Sequence, residues 1–337
     1  MPAAPPPGAA HPFTAFVRAV ARGVTLSRPL DQDEAAAAMR LILAGAVDPA
    51  QLGAFLMVLR YRGETAAELA GFVRAARERI APPAAAAVDL DWPSYADRHK
   101  QLPYFVLAAL LLAENGVGVF MHGVAGVGPV TTPATLAALG LRACASLDEA
   151  ARALERSRFA YVPLDGFCPA LLPLFALRPL LGLRSSANTF AREINPLAAP
   201  CQIQGVFHPA YLPVHQETAR LLGQPNAAVF KGGGGEAQRN PEKPCRVATL
   251  CRGAAGEEPW DALVPGERHA WREEPLDPAR VAALWRGDLA APGPEAAVVG
   301  TVAICLKLLG RAAAAAEAEA QARVLWDERP KSKYGAP

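Results

Sequence analysis

This chain of 337 residues has few cysteines, few unbroken apolar runs and little net charge. Its six cysteines form no Cys-x-x-Cys pair, which excludes the usual zinc spacing and a disulfide framework. No run of about 18 apolar residues is free of proline, glycine and charge, so no membrane span is predicted. No secretory leader pattern is visible, and the expected location is a reducing cytoplasm. The net charge of +2 does not by itself indicate nucleic acid or a membrane as partner.

Histidine is also sparse, with six dispersed residues, and neither a metal cluster nor a Ser/His/Asp or Cys/His catalytic set is recognisable. We therefore predict no metal site and no catalytic residues. Apolar residues are abundant. Hydrophobic residues make up 52% of the chain, although only 7% of the residues are aromatic. This composition excludes global disorder and predicts a sizeable core of closely packed helices.

The first part of the chain is predicted to be a helical bundle. Residues 1–10 alternate proline and alanine without periodicity and are predicted to be disordered. Within residues 11–81, Asp31 to Glu34 and Thr65 to Glu68 have the capping-box pattern that begins a helix. Apolar residues recur at spacings of three and four, so we predict four helices in this domain.

The second part, residues 88–326, alternates short apolar strands with helices. Strands are predicted at 88–90, 117–120, 159–162, 201–206, 227–230 and 247–250. Helices are predicted near 103–114, 132–140, 147–157, 209–223, 277–286 and 294–325. This alternation predicts a mostly parallel sheet with helices on both faces. The predicted fold class is therefore α plus α/β, with a small N-terminal bundle, a larger α/β domain and a basic tail at 327–337 that either attracts phosphate or frays.

A glycine-rich loop at 123–128 follows a predicted strand and precedes a helix, which is the shape of an anion or phosphate pocket. A second glycine turn would be needed in the upstream loop at 91–101 to cradle a phosphate. That loop instead holds Trp92, Pro93 and Tyr95, followed by Arg98, His99 and Lys100. The sequence thus indicates a phosphate-site scaffold in which bulky and basic residues replace one half.

Several stretches resemble the anthranilate phosphoribosyltransferases and the related pyrimidine nucleoside phosphorylases. The resemblance is carried by the following segments: 35–79 (above all 51–65), His122-Gly123, Asn188, Asn195 to Leu197, 205–209 and 232–236. It implies the fold of that family and a homodimer formed through the helical domain.

Three parts of the family's active site are altered in this chain. The Gly-Thr-Gly-Gly-Asp loop is replaced at 91–101, where side chains block the close backbone approach that phosphate needs. The family's Lys-His-Gly-Asn is Met-His-Gly-Val at 121–124, and its magnesium-binding Asp-Glu pair is Gly235-Glu236. Magnesium is thus expected only if the chain is a transferase after all, with Glu236 as a weak candidate ligand.

The segments 91–95, 163–164, 177–185 and 232–241 resemble the YbiB-type branch of this fold. That resemblance implies lost transferase activity and dimeric, sequence-independent DNA binding. Candidate phosphate-binding residues are Arg98, His99, Lys100, His122, Arg178, Arg184, Arg192, Lys231, Arg239 and Lys243. Trp92 and Tyr95 are candidates for base stacking.

Each of these assignments has a purely structural alternative. The aromatic residues of the loop at 91–101 would then plug the vacated pocket, the arginines would form interdomain ion pairs, and His122 would be a satisfied structural histidine. For the whole chain, the predicted function is non-sequence-specific nucleic-acid binding, with DNA, preferably single-stranded, as partner. The alternatives are a glycosyl or phosphoribosyl transferase with an altered donor or acceptor, and a noncatalytic dimer that binds another protein.

Overall fold

The computed structural model describes residues 11–96, 101–126, 128–266 and 268–335. The predicted disordered segment 1–10 lies outside these residues. Four helices come first: α1 (Thr14–Ala21), α2 (Gln32–Leu43), α3 (Pro49–Arg62) and α4 (Ala66–Arg77). Both predicted capping boxes are present, at Asp31 with Glu34 and at Thr65 with Glu68.

Seven strands form one mixed sheet in the order β3-β2-β1-β4-β5-β6-β7. They are β1 (Leu90–Ser94), β2 (Val119–Gly123), β3 (Phe159–Pro163), β4 (Cys201–Val206), β5 (Asn226–Lys231), β6 (Cys245–Cys251) and β7 (Ala254–Trp260). The first five strands in chain order run parallel, and β6 and β7 are antiparallel at one edge. The predicted fold class is confirmed.

In the described residues, ten further α-helices follow the bundle. They are α5 (Phe105–Glu114), α6 (Thr132–Ala138), α7 (Leu147–Ser157), α8 (Leu172–Ala176), α9 (Arg178–Leu181), α10 (Ala187–Phe190), α11 (Leu212–Leu221), α12 (Ala279–Arg286), α13 (Pro292–Leu308) and α14 (Ala315–Asp327). In the part of the chain that the structure describes, no helix combines the length and the apolar character required to cross a membrane.

Two large apolar clusters lie on opposite faces of the sheet. One packs α5, α12, α13 and α14 against Trp92, Met121 and Ile203. The other packs the N-terminal helices against the opposite face, where Phe72 of α4 contacts Phe190 at a ring-centroid distance of 5.6 Å. The helical bundle is therefore packed on the α/β domain, and the two parts share one continuous apolar cluster.

Four sequence-based predictions of local structure are wrong. Strand β1 begins at Leu90 and ends at Ser94, so Trp92 and Pro93 lie within a strand and not in a loop. The single helix predicted at 294–325 is two helices, because Gly310 adopts φ +70° and ends α13. Strand β7 escapes prediction because most of its residues are exposed and lack apolar alternation.

The fourth is fraying, one of the two alternatives predicted for the basic tail, because the tail packs on the α/β domain; its attraction for phosphate stays a prediction. The Arg329 guanidinium donates to three backbone carbonyls and lies over the Trp326 ring, 3.7 Å from its centroid. Lys333 pairs with Glu114 at 2.7 Å, and Tyr334 is buried. Two of the tail's cations are therefore already engaged within the chain.

Candidate functional site

The parallel strands β1, β2, β4 and β5 end at the same edge of the sheet, where α/β folds usually hold their ligands. Segments that follow these ends include Tyr95-Ala96, the loop after Gly123, Phe207-His208 and the glycine run 232–235. The helical bundle borders the same edge through Arg60 of α3. The candidate residues from β1, β2, β4 and β5 are thus gathered here by topology.

Trp92 and Tyr95 are fully buried, at 0% exposure. The Trp92 ring stacks on Phe105 at a centroid distance of 6.5 Å, on the face covered by α5. The Tyr95 ring stacks on Phe175 at 5.9 Å, and its hydroxyl is 2.8 Å from His122 Nδ1. The predicted base-stacking role is wrong for both residues, because neither ring presents a face to solvent; Trp92 and Tyr95 belong to the two apolar clusters of the core.

His122 is also fully buried, which corrects its assignment as a phosphate ligand. Its Nε2 atom lies 3.1 Å from Asp91 Oδ1, and its ring stacks on Phe120 at a centroid distance of 5.6 Å. With Tyr95 on the other ring nitrogen, both nitrogens face protein groups. His122 is a structural histidine that joins β1 to β2.

The Asp91–His122 pair belongs to a longer buried polar network that the sequence did not reveal. Gln202 Nε2 donates to Asp91 Oδ2 at 2.7 Å, and Gln204 Nε2 donates to both Gln202 Oε1 and Glu193 Oε2 at 2.7 Å. Glu193 Oε1 pairs with His215 Nδ1 at 2.8 Å. The signal for this network is the Gln-Ile-Gln pattern in β4, which places two amides on the same face of a buried strand.

The network continues into the helical bundle. Arg77 of α4 donates through Nε to the Ile194 carbonyl at 2.7 Å and through Nη2 to the Glu193 carbonyl at 3.0 Å. Burial lowers the pKa of Arg77, while the nearby carboxylates of Asp91 and Glu193 favour its charged form. These hydrogen bonds fix the bundle against the segment that precedes β4.

The glycine run after β5 does not present a row of free amides to an anion. Three N–H groups, those of Gly232, Gly233 and Gly235, donate to Val206, Gln238 and Gly232 carbonyls. Glycine is required at Gly232 and Gly205 for a different reason, since a Cβ at either position would collide with the Glu236 backbone. Three amides of the glycine run are therefore bonded to nearby carbonyls, and the turn places Glu236 beside Ala96.

The Glu236 carboxylate is held inside the protein. Its Oε1 accepts the Ala96 N–H at 2.7 Å, and its Oε2 is sealed from solvent without a hydrogen-bond partner among the described residues. Burial raises the pKa of this carboxyl, although Arg192 opposes the shift. The described residues contain no group of three His, Cys, Asp or Glu that would hold a metal ion.

A small cavity lies where Glu236 meets the ends of the parallel strands. We call this part of the site the donor side. Its lining includes Ser94, Gln101, Thr132, Gly233 and Glu236, and its volume is about 40 Å³. This is space for a few water molecules, whereas ligand pockets usually enclose about 300–1,000 Å³. The Ser94 and Thr132 hydroxyls are bonded to each other at 3.1 Å. The residues present do not fit a magnesium-bound sugar diphosphate.

Two of the predicted arginines are committed to structural contacts. Arg192 is 8% exposed and donates to the carbonyls of Asn188 and Gly235, and burial lowers its pKa. Arg239 is fully buried, pairs with Glu319 at 2.7 Å and lies 5.1 Å from the Trp260 ring centroid. The prediction of phosphate contact is therefore wrong for Arg239. Arg192 only forms part of a cavity wall.

The remaining cationic candidates have different positions. Arg178, Lys231 and Lys243 are exposed, and Arg184 is half-buried. Arg98, His99 and Lys100 lie outside the described residues. Gln101, which follows them, lines the donor-side cavity, and Ala96, the last described residue before them, donates its N–H to Glu236.

A second cavity of about 90 Å³ lies between the bundle and the α/β domain, and we call it the interdomain cavity. It is lined by Arg60, Arg184, Ser185, Asn188, Thr189, Arg192, Val206, Phe207, His208, Tyr211 and His215. Two of the candidates predicted from sequence, Arg184 and Arg192, thus line the same cavity. Arg60 and His208 line it as well but are not among the predicted ligands. Arg60 escapes prediction because its helix spacing indicates only an ordinary surface position.

Comparison with known proteins places this geometry in a family. Residues 14–80 match the helical bundle domain of the glycosyl transferase family. YbiB of Escherichia coli (strain K12), an uncharacterized protein, is 30% identical over 68% of this chain and 74% of its own length. The anthranilate phosphoribosyltransferase of Anaeromyxobacter sp. (strain Fw109-5) is 31% identical over 86% of this chain and 89% of its own length. The chain belongs to this glycosyl transferase family.

The solved structures agree with that membership. Anthranilate phosphoribosyltransferase from Thermus thermophilus superposes with a TM-score of 0.76 and 26% identity, and the match covers 93% of this chain and 94% of that one. The enzyme from Saccharomyces cerevisiae, solved in complex with PRPP and Mg, has a TM-score of 0.77 over 94% and 93% of the two chains. At 13% identity, the yeast enzyme supports the family's fold alone.

Proposed function

We propose that this protein binds nucleic acid without reading its sequence and does not transfer phosphoribosyl groups. The proposal rests on the contrast between the donor side and the interdomain cavity, which belong to the same cleft. The donor side keeps only a cavity of about 40 Å³ beside Glu236, while cationic side chains, including Arg60 and Arg184, line the interdomain cavity. A cleft without room for the donor but with guanidinium groups suits phosphate oxygens.

Binding would be driven mainly by the release of counterions from the phosphate backbone. Exposed Arg178 and Lys231 supply charge that needs no particular base, so the affinity falls steeply as salt rises. The proposed partner is DNA, preferably single-stranded, and the proposed assembly is a cytoplasmic homodimer formed through the bundle. A preference for single strands cannot come from Trp92 or Tyr95 and needs another contact.

A salt titration tests the proposal. Fluorescence anisotropy of a labelled single strand is measured with the full chain at rising concentrations of sodium chloride, beside a duplex of the same sequence. We expect tight binding at low salt and a linear fall of log K with log salt, with a slope of about −0.7 for each phosphate contacted on a single strand. Absence of binding at low salt, or binding that ignores salt, contradicts the proposal.

A transferase with an altered donor or acceptor is the second candidate. It is favoured by the 31% identity to an anthranilate phosphoribosyltransferase over 86% of the chain. The discriminating assay follows consumption of phosphoribosyl pyrophosphate with magnesium and anthranilate or a pyrimidine base. Turnover above the uncatalysed rate would replace the binding proposal, since the cavity of about 40 Å³ would then have to open.

A further inference from the structure

The interdomain cavity has a composition and a size that select one kind of group. Three arginines line it, Arg60, Arg184 and Arg192, together with His208. Its volume of about 90 Å³ is too small for a nucleotide but suits a single tetrahedral anion. We propose that this cavity holds a terminal phosphate monoester of a nucleic-acid strand; the inference rests on the proposed function and adds the end of the strand as its target.

The shape of the cavity favours a chain end over an internal phosphate. Its inner wall consists of buried polar residues: Ser185, Asn188, Arg192 and His215 are each 8% exposed or less. An internal phosphodiester carries a sugar on both sides, and both sugars would have to enter a space that fits one phosphate. A terminal phosphate enters on a single bond and leaves the rest of the strand on the exposed surface around His208 and Lys231.

The charges around the cavity also favour a dianion. Arg60 has one hydrogen bond among the described residues, from Nη1 to the Tyr211 hydroxyl at 3.4 Å, which is long enough to be weak. The carboxyl groups nearby are turned to other partners: Glu193 pairs with His215, and Glu64 accepts the Tyr211 hydroxyl at 3.4 Å. Burial raises the pKa of Glu64, and the nearby charge of Arg60 opposes this shift.

The two sides of the cavity come from different parts of the chain. Arg60 is in the last turn of α3 in the bundle, whereas Arg184 and His208 belong to the α/β domain. A phosphate between them would be bonded to both domains at once. Arg60 lies within the segment 51–65 that carries the family resemblance, and the residues opposite it in the cavity lie more than 100 positions away.

Competition between strand ends tests the inference. A labelled single strand bound to the full chain is displaced by unlabelled strands of identical sequence that carry a 5′-phosphate, a 3′-phosphate or hydroxyls at both ends. We expect a terminal phosphate to lower the concentration for half-displacement about tenfold, the effect of one added charge-assisted contact. Arg60→Gln and His208→Gln should remove this difference, and Arg272→Gln, an exposed arginine outside the cavity lining, should retain it.

The outcomes separate the two proposals. Equal displacement by all three strands overturns the end-binding inference and leaves salt-sensitive nucleic-acid binding intact. Displacement by a nucleoside monophosphate as efficient as by the phosphorylated strand also overturns it, because the ligand is then a free nucleotide. If no strand binds, the proposed function fails, and a rise in melting temperature with inorganic phosphate that Arg60→Gln abolishes would still support an anion site in this cavity. Unchanged melting temperatures of the variants without ligand show that they fold.

Discussion

The donor side and the interdomain cavity lie at the same sheet edge, yet they differ in what occupies them. On the donor side, Trp92 and Tyr95 are buried and a cavity of about 40 Å³ remains. Between the domains, about 90 Å³ stays accessible and is lined by Arg60, Arg184 and Arg192. Transfer of a group requires two reactants held together, so under the proposed function the narrow donor side leaves no room for one reactant, and the arginines of the other side serve anion binding.

The difference has a physical origin in the residues that follow each strand. A phosphate cradle needs backbone amides that approach the ligand, and these require small residues. At β1 the side chains that replace them are large and apolar enough to join the core. At the interdomain cavity the lining includes cationic side chains, which are costly to bury without a partner and therefore do not join an apolar core.

Removing Trp92 should have the largest effect on the fold. Trp92→Ala deletes a fully buried indole that packs on Phe105, and we expect the free energy of unfolding to fall by about 3–5 kcal/mol. Urea denaturation followed by circular dichroism measures this loss. Tyr61→Ala, at an aromatic residue that is 95% exposed, should change stability by less than about 0.5 kcal/mol. Similar losses for both variants would show that the Trp92 indole is not packed in the core.

Breaking the buried polar network should come next. Asp91→Ala removes the carboxylate that lies 3.1 Å from His122 Nε2 and accepts the Gln202 amide at 2.7 Å, in a site closed to water, which should cost about 3 kcal/mol. Asp288→Ala removes the partner of Arg286 in an exposed ion pair of 2.6 Å and should cost under about 1 kcal/mol. Equal costs in denaturation experiments would mean that water reaches Asp91 and that the donor side is open.

The sequence indicated the scaffold better than the site. Capping boxes, apolar periodicity and strand–helix alternation depend on neighbouring residues, so the bundle and most of the sheet were predictable. The direction of a side chain at the cleft depends on distant residues instead. Nothing local distinguishes Arg239, which is buried against Glu319, from Lys231, which is exposed, and Arg60 meets His208 only through the packing of two domains.

The trapped carboxyl of Glu236 should make stability depend on pH. Because burial raises its pKa in the folded state, the unfolded chain ionises first as the pH rises above about 4.3, and stability is lost between that value and the folded pKa. Glu236→Gln keeps an acceptor for the Ala96 N–H but removes this loss. The variant's gain over the wild type should therefore be larger at pH 7 than at pH 4, as measured by urea denaturation at both values.

The exposed Glu257 on β7 supplies the control for this experiment. Glu257→Gln should shift stability by a similar small amount at both pH values, because its carboxyl faces solvent and a single exposed pair with Arg246 contributes little. A gain for Glu236→Gln that is the same at pH 4 and pH 7 would mean that the carboxyl at position 236 is hydrated. The donor side would then be a wet pocket and not a filled one.

The smallest expected effect concerns the exposed charge at the ligand-binding edge. Strand β5 begins at Asn226 and ends at Lys231, and Lys307 lies beside Asn226 at the opposite edge of the sheet. Lys231→Gln should reduce the slope of log K against log salt for a single strand by about 0.7, the share of one phosphate contact. Lys307→Gln removes the same charge at the far end of the same strand and should leave the slope unchanged. Equal slopes for both variants would mean that the strand is attracted by the charge of the whole protein, and the contrast between the two sides of the cleft would then not explain where nucleic acid binds.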